Sequence, residues 1–211
     1  MMENIYLLSN RKVDGVNSLP LFKIQYIETK IDLKQYDILI FTSKSAVYSI
    51  DTQNKDWKKI ASCAIAKKTA DVIKKYDGNL IFTGNSGHGD QFAYELIDQL
   101  KNKKVLYLRG SKVVSNLVNI LKEHKIDCSE EIIYKTVCND QIESFKLPKN
   151  SKIIFSSPST IKCFLDKFSW DDSFTAVCIG NTTASYLPQN INYVISEDRS
   201  LESCILKAKE V

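Results

Sequence analysis

The sequence predicts an α/β fold made of two similar α/β domains with parallel sheets. The first observation behind this is a spaced repeat. IFTSKSAV at Ile40–Val47 and CAIAKKTA at Cys63–Ala70 recur as IFSSPSTI at Ile154–Ile161 and VCIGNTTA at Val177–Ala184, at a constant offset of 114 residues and with seven of the sixteen positions identical. Two ungapped blocks at one offset imply two halves built alike, and such halves commonly hold a ligand in a cleft between them. The second observation is the alternation of short β-rich runs with helical periodicity, the pattern of parallel sheets joined by helices. The third is size and composition: 211 residues, 44% hydrophobic and 26% charged, suffice for two modest cores.

In chain order, Ile5–Leu8 reads as a strand and Lys23–Thr29 (KIQYIET) as a half-exposed one. Asp37–Thr42 is a buried strand, after which Ser43 or Ser45 caps a helix to about Ile50. Cys63–Ala66 is a strand, and Thr69–Tyr76 a helix with Val72 and Ile73 inward, stopped by Gly78. Leu80–Thr83 is strand-like and leads into GNSGHGD, Gly84–Asp90. Asp90 is placed to cap a helix to Leu100 whose Phe92, Leu96, Ile97 and Leu100 share one face. Val105–Leu108 is a strand, and Lys112–Lys125 a helix with Val113, Val114, Leu117, Val118 and Leu121 inward. Strands follow at Ile132–Val137 and Lys152–Phe155, a helix at Ser159–Phe168 and a strand at Ala176–Ile179. A helix over Thr182–Leu187 stops before Pro188, and Tyr193–Ile195 and Leu201–Lys209 supply the last strand and helix.

The charge balance, 29 Lys plus Arg against 25 Asp plus Glu, suits an anionic small molecule. No basic stripe with interleaved aromatics argues for nucleic acid, and no apolar run is long enough for a membrane span. Met1–Leu8 lacks the basic start and apolar core of a signal peptide, so the expected location is cytoplasmic. The six cysteines (Cys63, Cys128, Cys138, Cys163, Cys178, Cys204) show no C-x-x-C spacing, and buried reduced thiols are expected. His88 and His124 stand apart from other ligand-type residues, so no metal site is expected.

Each repeated block is a strand ending in Ser, Thr or Gly that runs into a helix. Ligands of parallel α/β sheets sit at the carboxyl ends of the strands, and free N–H groups in a helix's first turn attract anions. Thr42, Ser43, Ser45, Ser156, Ser157, Ser159, Thr182 and Thr183 are therefore candidate donors to a carboxylate-bearing ligand; taken singly, each also reads as a helix N-cap. The Gly84–Asp90 turn lacks G-x-G-x-x-G and any following Gly-Lys-Ser/Thr, which leaves a flexible turn or a backbone N–H cradle.

These residues resemble the uroporphyrinogen-III synthase family. The resemblance rests on Phe41-Thr42-Ser43 with Ala46-Val47, on Tyr107-Leu108-Arg109-Gly110, on Ile133-Tyr134-Lys135-Thr136, on Phe155-Ser156-Ser157-Pro158-Ser159 and on Ile179–Ala184. Their order and spacing fit from about Lys23 to the C-terminus. Two departures stand out. Only Lys12–Pro20 separates Arg11 from Leu21, too short for an ordinary crossover helix, and Ala66 stands where the first repeat of the family usually has glycine.

The resemblance implies two flavodoxin-like α/β domains joined by a two-stranded antiparallel connector. One domain would combine residues 1–25 with 139–211, the other would span 30–132, and residues 23–29 and 132–138 would be the connectors. It further implies a lyase that closes hydroxymethylbilane to uroporphyrinogen III, with inversion of ring D and loss of water, in haem biosynthesis. No cofactor is required. The substrate would be a linear tetrapyrrole polycarboxylate, handed over transiently by the preceding pathway enzyme, and the chain would be a monomer. Tyr134, on a connector, would protonate the leaving hydroxyl; read alone it is a half-buried strand tyrosine. Arg11 and Arg109 follow strand ends and are candidates for substrate carboxylates or ordinary surface arginines; Gly87, Gly89 and Asp90 are further candidate contacts. The competing class is a non-catalytic two-lobed binding module for an anionic small molecule or a tetrapyrrole.

Overall fold

The structure, a computed structural model, describes residues 4–211; the expected start of the first domain at residue 1 lies outside the described residues. In chain order the first elements are β1 (Ile5–Leu7), β2 (Asn17–Ser18), β3 (Phe22–Tyr26), β4 (Ile38–Phe41), α1 (Lys44–Gln53), β5 (Ala61–Ala64), α2 (Lys67–Lys75), β6 (Leu80–Thr83) and α3 (Gly89–Leu100). There follow β7 (Lys104–Gly110), α4 (Leu117–Glu123), β8 (Asp127–Cys138), β9 (Lys152–Phe155), α5 (Pro158–Leu165), β10 (Thr175–Cys178), α6 (Asn181–Ala184), β11 (Tyr193–Ile195) and α7 (Leu201–Glu210). The chain divides into two compact units, one of the described residues up to Lys23 with Val137–Val211, the other of Ile24–Thr136.

The larger unit carries a sheet of order β3-β8-β7-β4-β5-β6, in which β4 pairs in parallel with β5 and β7, β5 with β6, and β7 with β8. Ile38 to Phe41 are all buried, because both faces of this central strand are covered. On one face Val47 and Ile50 of α1 and Val72 and Ile73 of α2 pack with Phe41 and Leu108. On the other Phe92 and Leu96 of α3 and Leu117 and Leu121 of α4 pack with Ile40 and Tyr107. The smaller unit has a parallel sheet of order β11-β10-β9-β1-β2. Ile161 and Phe164 of α5 and Ala184 of α6 cover one face, Cys204 and Ile205 of α7 the other.

The repeat is structural. Adding 114 to β4, Ile38–Phe41, gives β9, Lys152–Phe155, and adding it to β5, Ala61–Ala64, gives β10, Thr175–Cys178. The N-cap residues correspond as well: Ser43 with Ser157, and Ala66 with Gly180. α2 and α6 start at equivalent positions, but α6 is a single turn, its continuation ended by Pro188.

β3 and β8 are hydrogen-bonded neighbours. The amide of Asn139 donates to the carbonyl of Leu21 at 2.8 Å and that of Ile27 to Ile133 at 2.9 Å, so one strand ascends as the other descends and the ladder is antiparallel. β8 begins five residues earlier than the expected Ile132: its first part, from Asp127, pairs in parallel with β7.

Four local expectations change. The helix expected over Lys112–Lys125 is confined to Leu117–Glu123, and Val113 and Val114, expected inward, are exposed. The preceding segment is instead held against α3, where Asp90 accepts from the amide of Asn116 at 2.6 Å. Asp90 is therefore not the N-cap of α3; that position is His88. At Ala66 no left-handed backbone is needed, since Ala66 (φ −162°) and Gly180 (φ 172°) are both extended. Finally, not all cysteines are buried thiols. Exposed Cys138, at the end of β8, is disulfide-bonded to buried Cys163 of α5, with Cα atoms 5.4 Å apart. Cys63, Cys128, Cys178 and Cys204 are buried and free. Between β1 and β2 the chain makes only an irregular turn with a Val13–Val16 bridge, in place of a helix.

Candidate functional site

In the larger unit the carboxyl ends of β4 and β7 bring Thr42, Ser43, Ser45 and Arg109 to one edge of the sheet, where Tyr134, within β8, pairs with Gly110 at the end of β7. Each is placed by its strand. Ser43 caps α1, its hydroxyl accepting from the amide of Ser45 at 3.1 Å. The hydroxyl of Thr42 lies 2.8 Å from the phenol oxygen of Tyr107, and burial raises the Tyr107 phenol while that hydrogen bond works against the rise. Arg109, largely buried, donates through Nε to Glu130 at 2.7 Å and through Nη1 to the carbonyl of Gly110 at 2.9 Å. Tyr134 is half-buried beside the α1 and β7 side chains, and its carbonyl accepts from the amide of Ser111 at 2.9 Å.

The glycine-rich turn after β6 contributes differently. Gly87 has φ +71° and open space around its Cα, the conformation glycine adopts without strain. Gly89 is required by packing, because a Cβ there would fall 2.4 Å from Cβ of Ser115. The carboxylate of Asp90 is taken up by the amide of Asn116.

In the smaller unit the carboxyl ends of β9 and β10 carry Ser156, Ser157 and Ser159, and Gly180, Thr182 and Thr183. Ser156 and Ser159 are exposed, while Thr160 reaches back and accepts from the Ser157 amide at 3.2 Å to cap α5. Thr182 is exposed, but Thr183 is buried and its amide is already taken by the carbonyl of Gly180 at 3.0 Å. Ile179, Gly180, Asn181, Thr182, Thr183 and Arg199 line a depression of about 150 Å³. Arg199 follows β11 and stands so that a Cβ on Gly180 would be 3.7 Å from its Nε. Arg11, after β1, is exposed and paired with Glu202 at 2.6 Å.

A family model described as uroporphyrinogen-III synthase HemD matches residues 15–205, nearly the whole chain. The chain belongs to the uroporphyrinogen-III synthase HemD family. A porphyrin biosynthesis protein HemD of Ruminiclostridium josui is 26% identical over 85% of this chain and 39% of its own length, so the chain spans about two fifths of that relative. The crystal structure of uroporphyrinogen-III synthetase from Helicobacter pylori 26695 superposes with a TM-score of 0.74 at 30% identity, covering 99% of both chains.

Within this HemD-family fold, the residues chosen from sequence fall into distinct groups. Thr42, Ser43, Ser45, Arg109 and Tyr134 share one sheet edge, and Ser156, Ser157, Ser159, Thr182 and Thr183 the corresponding edge of the other sheet. Three features escaped the sequence reading. Tyr107 and Glu130 are strand residues whose roles follow from which strands are neighbours, so no sequence signal marks them. Arg199 was accessible by the criterion that selected Arg11 and Arg109, an arginine just after a strand end. No group of three His, Cys, Asp or Glu placed to hold a metal is found among the described residues, and no helix there is long and apolar enough to cross a membrane.

Proposed function

We propose that this chain closes hydroxymethylbilane to uroporphyrinogen III with inversion of ring D and loss of water. The observation that carries this reading is the family match over residues 15–205, joined to a sheet edge that holds Tyr134 among polar groups. Hydroxyls and helix N-termini at the carboxyl edges would hold substrate acetate and propionate groups, with Arg199 as the arginine free of an ion pair among the described residues.

The chemistry needs positioning above all. Tyr134 gives its phenolic proton to the leaving hydroxyl, which departs as water, assisted by the electron-rich pyrrole, and leaves an azafulvene cation. The substituted carbon of ring D closes on it to form a spiro intermediate. That intermediate reopens and recloses with ring D inverted, and the hydrogen lost from the closing pyrrole carbon restores the proton balance. Arg11 and Arg109 are already paired with Glu202 and Glu130 respectively, which offsets part of the charge that each would offer a substrate carboxylate.

The test is product analysis of hydroxymethylbilane incubated with the purified chain, oxidised to porphyrin and scored by isomer. Dominant type III isomer is expected. Type I alone, the product of unassisted closure, from folded protein would overturn the reading and favour a binding module. Tyr134→Phe is expected to slow turnover by roughly 10- to 1000-fold.

A further inference from the structure

Tyr134 owes its place to an irregularity in the sheet. Along β7 and β8 the paired residues advance one for one from Lys104–Asp127 to Arg109–Ile132; the next pair is Gly110–Tyr134, so Ile133 is an extra residue in β8. A regular ladder would set Tyr134 opposite Ser111 and send Ile133 and Tyr134 to opposite faces. Here both pack into the same core with Leu108, Val47 and Ile50. The bulge turns the tyrosine toward the residue that ends β7, as bulges beside functional sites do.

That residue is glycine, and the contact demands it. A Cβ on Gly110 would lie 2.7 Å from Cζ, 2.8 Å from Cε2 and 3.0 Å from the hydroxyl oxygen of Tyr134. The backbone of Gly110 is outside the left-handed region, so alanine would meet no backbone strain there; the three atoms nearest to its Cβ all belong to the phenol. The bulge itself is pinned from α1. Buried Ser49 donates its hydroxyl to the carbonyl of Ile133 at 2.5 Å, the same carbonyl that accepts from the amide of Ile27 at 2.9 Å.

We propose that Gly110 and Ser49 are positioning residues for the Tyr134 phenol: Gly110 by leaving the space its ring occupies, Ser49 by holding the bulge that aims it. This rests on the reading of Tyr134 as proton donor. A phenol moved by a fraction of an ångström keeps its chemistry and loses its alignment, which acts on turnover and not on binding.

The experiment compares Gly110→Ala, Ser49→Ala and Tyr134→Phe singly, and each of the first two combined with Tyr134→Phe. The readouts are kcat and KM for hydroxymethylbilane and thermal unfolding, all on the full chain. Gly110→Ala is expected to lower kcat by about 10- to 100-fold with little change in KM, since misplacement on this scale costs up to about 100-fold. Ser49→Ala, which leaves the Ile133 carbonyl bonded to Ile27, should lower kcat by roughly 3- to 10-fold on the same ground. In the Tyr134→Phe background the ring and its clash persist, so unfolding should shift as before while kcat falls no further. Equal losses of kcat in both backgrounds, or wild-type kcat in Gly110→Ala and Ser49→Ala beside a slow Tyr134→Phe, would overturn the positioning role alone. Wild-type kcat in Tyr134→Phe would overturn the proton-donor reading itself. If Gly110→Ala fails to fold, the Ser49 pair decides.

Discussion

The guanidinium of Arg109 is bonded to Glu130, through Nε at 2.7 Å, and its side chain is only 14% exposed. Its charge is committed inside its own unit, whereas exposed Arg199 has no such partner among the described residues. Arg109→Ala is therefore expected to cost on the order of 2 kcal/mol in denaturant unfolding, the usual scale for a lost hydrogen bond to a charged group. Arg199→Ala should leave stability within about 0.5 kcal/mol. It should instead raise KM for hydroxymethylbilane. A large loss of stability in Arg199→Ala with unchanged KM would reverse these assignments.

Thr42 and Tyr107 form a second pair whose value lies in being complete. Tyr107 is 2% exposed, so Thr42→Val strands a buried phenol and is expected to cost about 1–3 kcal/mol. Removing both hydroxyls, with Thr42→Val and Tyr107→Phe together, should cost less than Thr42→Val alone. Simple additivity in a double-mutant cycle would show that the two hydroxyls do not interact.

The Cys138–Cys163 bond closes a loop with a sequence separation of 25 residues. Alkylation and mass measurement of the unfolded, unreduced protein should find four reactive thiols, Cys63, Cys128, Cys178 and Cys204, and six after reduction. Six without reductant would show that the bond does not form. In the folded protein the free thiols should resist alkylation, since burial pushes those of Cys63, Cys128 and Cys178 up to about 12. Reduction is expected to lower stability by roughly 3.5 kcal/mol, the loop-closure value for this separation.

Asp51 is buried on α1 against Trp57, accepting from the indole Nε1 at 3.1 Å and from Lys55 at 2.5 Å. Burial alone would raise its carboxyl, but the bonds from Lys55 and Trp57 outweigh it and hold the group below its ordinary value. A depressed folded value means that the stabilisation is present above the unfolded value, near 3.9, and is lost as pH falls through the folded one. Asp51→Asn should thus flatten the fall in stability expected of the parent chain below about pH 4. Unchanged acid sensitivity would mean that other carboxylates set it. On the same indole, a Cβ at Gly78 would lie 2.5 Å from Trp57, so Gly78→Ala is expected to destabilise by about 1–3 kcal/mol.

The sequence by itself determined the two-unit α/β plan, because burial of both faces of a parallel strand leaves a mark that is local: runs such as Ile38–Phe41, repeated 114 residues later at Lys152–Phe155. It also determined most helix starts, because Ser43 and Ser157 act through bonds to residues two or three positions on. Periodicity failed at Lys112–Asn116, where the Asn116 amide donates to Asp90 of α3 in place of a helical turn, and Val113 and Val114 are left outside. What only the tertiary structure decided are relations across strands and between distant elements. These are the Cys138–Cys163 bond, the Arg109–Glu130 and Thr42–Tyr107 pairs, and the bulge that lays Tyr134 on Gly110. Each depends on which strands become neighbours and in what register, and a register slip of one residue changes the partner of every side chain beyond it without changing any local pattern.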